Sequence, residues 1–192
     1  VDLLDPAQDH KLSAFDGKHL LMNSAMTKVY AAAAPSKVII YDSRVGAALA
    51  LLARYWLEDQ GYTSVPQTLA FRWENGRSGL LRNPTKDGLK FSRLYGGKDA
   101  AQHWAELSRS AAAIFLKMQT LNKLIPDIGE IEKAMFMVGY CTEYSSKNTV
   151  ITSQQGGTMP ETTEDSESRS PTQTIIQDAW PKIALGEYKT PA

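Results

Sequence analysis

Asp42 and Lys28 are the residues whose types and placement first suggest chemistry in this chain. Asp42 follows the apolar run Lys37-Val38-Ile39-Ile40-Tyr41 and precedes a strongly periodic helix. There a carboxylate meets the free N–H groups of a first turn and the positive end of the helix dipole. A carboxylate so placed is kept ionised by the dipole and by backbone hydrogen bonds. The plainer reading is a helix cap and nothing more, worth ~1 kcal/mol of stability. Lys28 is a pocket lysine on one reading and a snorkelling edge residue on the other. Arg44, just inside the Asp42 helix, is a candidate phosphate contact or a surface ion-pair partner.

A second constellation is made of charge and rings. From Arg72 to Lys98 there are seven basic residues against two acidic ones, a local +5 in a chain whose net charge is zero. Cations meet phosphates and aromatic rings stack on bases. Arg72, Arg77, Arg82, Lys90 and Arg93 are therefore candidate DNA phosphate contacts, with Trp73 and Tyr95 as candidate stacking residues. The competing reading is a solvated loop whose rings fill a small satellite core. From Glu143 to Arg169 the balance reverses, with five acidic residues against two basic.

Several other chemistries find no support. The single cysteine, Cys141, makes no internal disulfide or cysteine-based zinc site and points to a reducing, cytoplasmic setting. His10, His19 and His103 are scattered without a metal-binding spacing, so neither a metal nor a cofactor is expected. Serine-hydrolase, phosphate-loop and dinucleotide fingerprints are missing. No stretch approaches the roughly 20 apolar residues of a membrane span, and GAALALLARYWL, broken by Arg54, reads as core. The opening VDLLDPAQDHK has neither the basic nor the apolar region of a secretory signal.

The elements that must position these residues follow from periodicity. Residues 1–13 read as a loose lead-in. A first helix is expected from about Leu20 to Ala34, with Met22, Met26, Val29, Tyr30 and Ala33 on one face and Pro35 as its stop. The segment 37–41 reads as a strand or as a buried extended linker. The next helix shows Val45, Ala48, Leu49, Leu52, Tyr55 and Trp56 as its stripe, with Gly61 at its C-terminus. Glycines and prolines break any long period over 62–98, where QTLAFRW alternates like a strand and Asn75-Gly76 suits a hairpin turn. Helix returns near Asp99, with Trp104, Leu107, Ala111, Ile114, Phe115, Met118 and Leu121 as its stripe, and again over Gly129–Cys141.

The segment MTKVYAAAAPSKVIIYDSRVGAAL, residues 26–49, resembles part of the helix-hairpin-helix DNA glycosylase superfamily, and within it bacterial relatives of the 8-oxoguanine glycosylases. The matching pattern is a helix with small residues, a loop, a hydrophobic run, and an Asp-x-x-Val signature. Ile40, Asp42 and Val45 fill it here, with Lys28 and Ala31 on the preceding helix. The resemblance implies that Asp42 faces DNA as the catalytic carboxylate, with an extruded base bound in a pocket. The chain departs from the pattern in lacking the glycine-rich hairpin, since Gly17 is its only glycine before Gly46. Lys28 also lies closer to the aspartate than the family's lysine nucleophile does. The resemblance thus implies a divergent, monofunctional or inactive member.

The expected fold is mainly α: a helical orthogonal-bundle core over residues 14–142 with an irregular basic insert at 62–98, which has room for a small hairpin. Residues 143–192 read as a disordered acidic tail, with a short apolar segment at 174–181 around Trp180 that would dock a protein partner. The expected function is a DNA glycosylase-like, DNA-binding protein. The alternatives are a non-catalytic helical interaction module and a fragment of a larger protein.

Overall fold

The computed structural model of the chain describes residues 1–76, 81–140 and 142. Arg77, Cys141, the acidic segment from 143 onward and the apolar cluster around Trp180 lie outside them. The described chain is mainly helical, with α1 (Ser24–Ala33), α2 (Ser43–Asp59), α3 (Ala100–Leu121) and α4 (Ile128–Val138). Three short 3₁₀ turns, at Asp2–Leu4, Leu12–Ala14 and Gln67–Leu69, complete it, and no β-strand occurs among the described residues. No helix among them is long and apolar enough to cross a membrane.

The helix α2 is the centre of the fold. Every residue from Val45 to Arg54 is buried, as are Trp56 and Leu57. A helix that is apolar on all sides has to be surrounded, and the stripe legible in the sequence is only one part of that burial. Its C-terminus closes as a Schellman motif: Tyr62 N–H bonds Leu57 O at 2.9 Å, and Gly61 N–H bonds Glu58 O at 3.1 Å. Gly61 takes the φ of 71° that this cap requires. Helix α4 packs against both α2 and α3, and α3 covers the two N-terminal 3₁₀ turns.

The lead-in over residues 1–13 is not loose, because Leu4 and Leu12 anchor it in the core just ahead of Phe15. Leu4, Leu12 and Phe15 are buried, and Lys37 Nζ pairs with Asp5 Oδ2 at 2.5 Å. The lysine's hydrogen bond holds the Asp5 carboxyl below the usual carboxylate range and fastens the N-terminal segment to the linker after α1. The core therefore begins upstream of the boundary expected at residue 14.

Helix α1 starts at Ser24, later than its periodicity suggested. The Asn23 side chain accepts hydrogen bonds from Ala25 N and Met26 N, so the local cap sets the boundary. Thr27 and Ala31 are its buried residues, while Val29, expected on the core face, is 56% exposed. Residues 38–41 form an extended linker with Val38, Ile39 and Tyr41 in the core, and Lys37 is exposed in the turn before it.

The insert contains no strand over QTLAFRW. A 3₁₀ turn occupies Gln67–Leu69, and Trp73 then makes a single parallel bridge to Arg93. The turn read at Asn75-Gly76 runs into Arg77, outside the described residues, whereas a tight turn falls at Lys86–Leu89. There Asp87 takes a φ of 50°, and a Cβ on Gly88 would stand 2.6 Å from Thr63 O.

Tyr41 ties this insert to the head of α2. Its hydroxyl donates to Arg72 O and accepts from Arg72 N, each at 3.1 Å, and complete burial pushes its phenol pKa up. Removing the hydroxyl in Tyr41→Phe strands both backbone groups of Arg72. The expected cost is about 1–3 kcal/mol, read from the urea midpoint at constant m-value.

Candidate functional site at the head of α2

Asp42 occupies the N-cap of α2. Its Oδ1 accepts from Arg44 N at 2.7 Å and from Val45 N at 3.1 Å, and the residue is half-buried, so part of it still meets solvent. Several distant segments converge on the turn that carries it. Thr27 Oγ1 donates to Ser24 O at 2.9 Å and lies 3.4 Å from Tyr41 O, which sets the first turns of α1 beside the residue preceding Asp42. Gly46 lies against Arg72, and Gly139, at the end of α4, lies against Arg44; a Cβ on either would come closer than 3.0 Å to a backbone oxygen.

Beside this turn, α1, the linker and the first turns of α4 enclose a cleft of about 260 Å³. Ala31, Ala32, Val38, Ile40 and Ile128 give it apolar walls, and Lys28 and Glu132 supply its charged groups. Lys28 is exposed at this cleft, and its ammonium donates to Ser24 O at 3.1 Å. Glu132 Oε2 accepts the Ile40 N–H at 2.6 Å. Burial pushes the Glu132 pKa up; the Ile40 hydrogen bond opposes that shift and the Asp42 charge adds to it. Lys28 and Glu132 thus line one cleft, Asp42 lies outside its lining two residues after Ile40, and no pattern in the sequence singles out Glu132.

The raised Glu132 pKa makes a stability prediction. The folded state holds this proton more tightly than the unfolded chain does. Its contribution is fully present below the ordinary value of 4.5 and is lost as pH rises through the folded value. Glu132→Gln keeps an acceptor for Ile40 and removes the ionisation. Its Tm should exceed that of the wild type at pH 7–8, with the difference vanishing in acid.

The insert residues divide differently from their reading as phosphate contacts. Arg82 is 5% exposed, with Nη1 donating to Ser43 Oγ at 2.8 Å and Nε to Tyr140 O at 3.3 Å. It is an internal strut joining the insert, the head of α2 and the end of α4. Its removal should cost about 1–3 kcal/mol of stability, because buried partners lose a charged donor. Thermal melts of Arg82→Ala check this. Arg72 Nη1 donates to Arg93 O at 2.8 Å, and its guanidinium lies 3.4 Å from the Tyr95 ring centroid.

His103 also stacks on Tyr95, at 4.0 Å and 18°. Two planar groups at these distances cannot share one face of a ring, so both faces of Tyr95 are covered. Trp73 is 6% exposed, with Nε1 donating to Phe91 O at 2.9 Å. Trp73 belongs to the main hydrophobic core and half-buried Tyr95 is held between Arg72 and His103, so the structure gives both rings packing positions in place of the stacking roles read from the sequence. Arg93 is exposed and bonds Glu74, with Nε donating to Oε1 at 2.8 Å. Lys90 is exposed. The Arg44 guanidinium lies 5.3 Å from the Tyr140 ring centroid. Among the described residues no cluster of three or more His, Cys, Asp or Glu is arranged to hold a metal ion. Compared with models of protein families, with curated proteins and with solved structures, the chain finds no match.

Proposed function

We propose that the protein is a divergent DNA glycosylase-like, DNA-binding protein in which Asp42 stabilises the transition state for cleavage of an N-glycosidic bond. The observation that carries this reading is the setting of Asp42. It caps a helix whose head is clamped by three other segments, and it lies two residues after Ile40, whose N–H bonds Glu132 in a neighbouring cleft. As the bond between sugar and base breaks, positive charge builds on the sugar, and a fixed carboxylate lowers the barrier without reorganising. A rigid surround holds it in place, which is what preorganisation requires.

The reading is tested by incubating the full chain with duplex DNA carrying damaged bases and measuring free base and duplex affinity across a salt series. Base release, with affinity that falls steeply as salt rises, is the expected result. Replacing Lys90 and Arg93 by Gln should flatten the salt slope by about 1 for each phosphate no longer neutralised. Absence of base release would overturn the catalytic role of Asp42, and absence of DNA binding at low salt as well would overturn the DNA-binding role too.

One observation favours a second reading, a non-catalytic helical interaction module. Of the arginines that would meet DNA, Arg82 is engaged inside the fold and half-buried Arg72 is bonded to Arg93 O. On that reading Asp42 is a cap alone, and the same incubation gives no base.

A further inference from the structure

The cleft between α1 and α4 has apolar walls and carries one charge of each sign, Lys28 on α1 and Glu132 on α4. Glu132 is half-buried and takes the Ile40 N–H, yet among the described residues it has no ion-pair partner. A carboxylate set against apolar walls is costly until a cation reaches it. Lys28 is exposed; its ammonium contacts Ser24 O and Ser24 Oγ, which leaves a third N–H to donate. Phe136, one turn beyond Glu132 on the same face of α4, is half-buried and extends the apolar surface. At about 260 Å³ the cleft lies below the roughly 300 Å³ at which pockets for drug-sized ligands begin, a size for one ring system.

The sequence beyond the described residues contains a group of that kind. Asp178-Ala179-Trp180-Pro181-Lys182 places an indole between an acid and a base. Pro181 disfavours helical backbone at Trp180, and on an extended segment residues 178, 180 and 182 face one side. The other three tryptophans, Trp56, Trp73 and Trp104, are at most 7% exposed and already belong to the core.

The connection is long enough. Helix α4 forms one cleft wall, and the last described residue, Thr142, follows its end by four positions. Even as a random coil, the chain of about 35 residues between Thr142 and Asp178 spans roughly 30 Å. The 11 residues of α4 cover roughly 16 Å. Tethering of this kind raises the local concentration of the segment towards about a millimolar, so a contact too weak to hold a free peptide is populated within one chain.

We infer that the α1–α4 cleft is the docking site for residues 178–182 of this same chain, with the Trp180 indole between the apolar walls, Asp178 meeting Lys28 and Lys182 meeting Glu132. The docking is separate from any chemistry at Asp42. So weak a contact is lost on heating before the fold melts, and the expectation for the Tm of Glu132→Gln is unchanged.

The test is fluorine NMR of the full chain labelled with 5-fluorotryptophan, with the Trp180 resonance identified by its loss in Trp180→Ala. In the wild type that resonance should stand away from the position of an unfolded tryptophan, at every protein concentration. Ala32→Glu, which puts a carboxylate on an exposed position of the cleft, should return it to the unfolded position. Lys28→Glu and Asp178→Lys should each lower the ratio of docked to free by about 2- to 5-fold, and the two together should restore it. The resonances of Trp56, Trp73 and Trp104 report the fold in each variant. Should Ala32→Glu disturb them, Asp178→Lys decides alone, since it alters none of the described residues. A Trp180 resonance at the unfolded position in the wild type would overturn the inference. A displaced resonance indifferent to Ala32→Glu and to Asp178→Lys would overturn it too, by seating Trp180 elsewhere. Displacement that grows with protein concentration would give the cleft to a second copy of the chain, and losses that add in the double variant would remove the pairing; either result overturns the inference.

Discussion

Gly46→Ala is expected to destabilise the protein by about 3 kcal/mol or more, although alanine is the better helix former by roughly 1 kcal/mol. The added Cβ would fall closer than 3.0 Å to Arg72 O and 3.1 Å from the Tyr41 hydroxyl. Neither neighbour is the flexible end of a side chain. Arg72 is fixed by its two bonds to Tyr41, and Tyr41 is packed edge-on against Trp104 at 6.1 Å. Accommodating the methyl group means parting the insert from α2, with loss of both Tyr41 hydrogen bonds. Gly139→Ala should act similarly from the other side, where its Cβ would press on Arg44 O. Urea unfolding checks both. A change under about 1 kcal/mol at either glycine would show that the head of α2 is not clamped as described.

These glycines mark where the sequence stopped being informative. Local signals were legible: the capping role of Asp42, the glycine after α2, and the helical stripes of α2 and α3 all depend on neighbours within one or two turns. The same holds for the mainly helical character of the described residues. What could not be read depends on partners remote in the chain. Gly46 looks like an ordinary weak point in a helix until Arg72 O is placed against it. Glu132 looks like one more surface charge on α4 until it meets Ile40, 92 residues away in the chain.

The basic insert was misleading for a related reason. A count of charges does not distinguish an arginine facing solvent from one such as Arg82, which is buried where it bonds Ser43 and Tyr140. Aromatic residues between those arginines suit nucleic acid in pattern, yet Trp73 and Tyr95 are covered by the insert's own packing and by His103. Likewise, the lead-in hid two core residues, Leu4 and Leu12, spaced too widely to show a period.

The second large effect is expected at Asp42, and it separates chemistry from folding. Asparagine is as good an N-cap as aspartate, so Asp42→Asn keeps an oxygen for Arg44 N and Val45 N and should leave the Tm nearly unchanged. Asp42→Ala removes that oxygen and should cost ~1 kcal/mol. If the carboxylate only caps α2, the two variants differ in stability and neither alters any rate. If it carries the reaction, both lose activity to a similar degree despite their different stabilities.

Single-turnover release of base from damaged duplex DNA by the wild type and by Asp42→Asn, with melting curves on the same samples, tests the Asp42 assignment most directly. The predicted result is measurable release by the wild type and a loss of about 10²–10⁴-fold in the variant at an almost unchanged Tm. Equal release by the two proteins, or no release by the wild type, would contradict it.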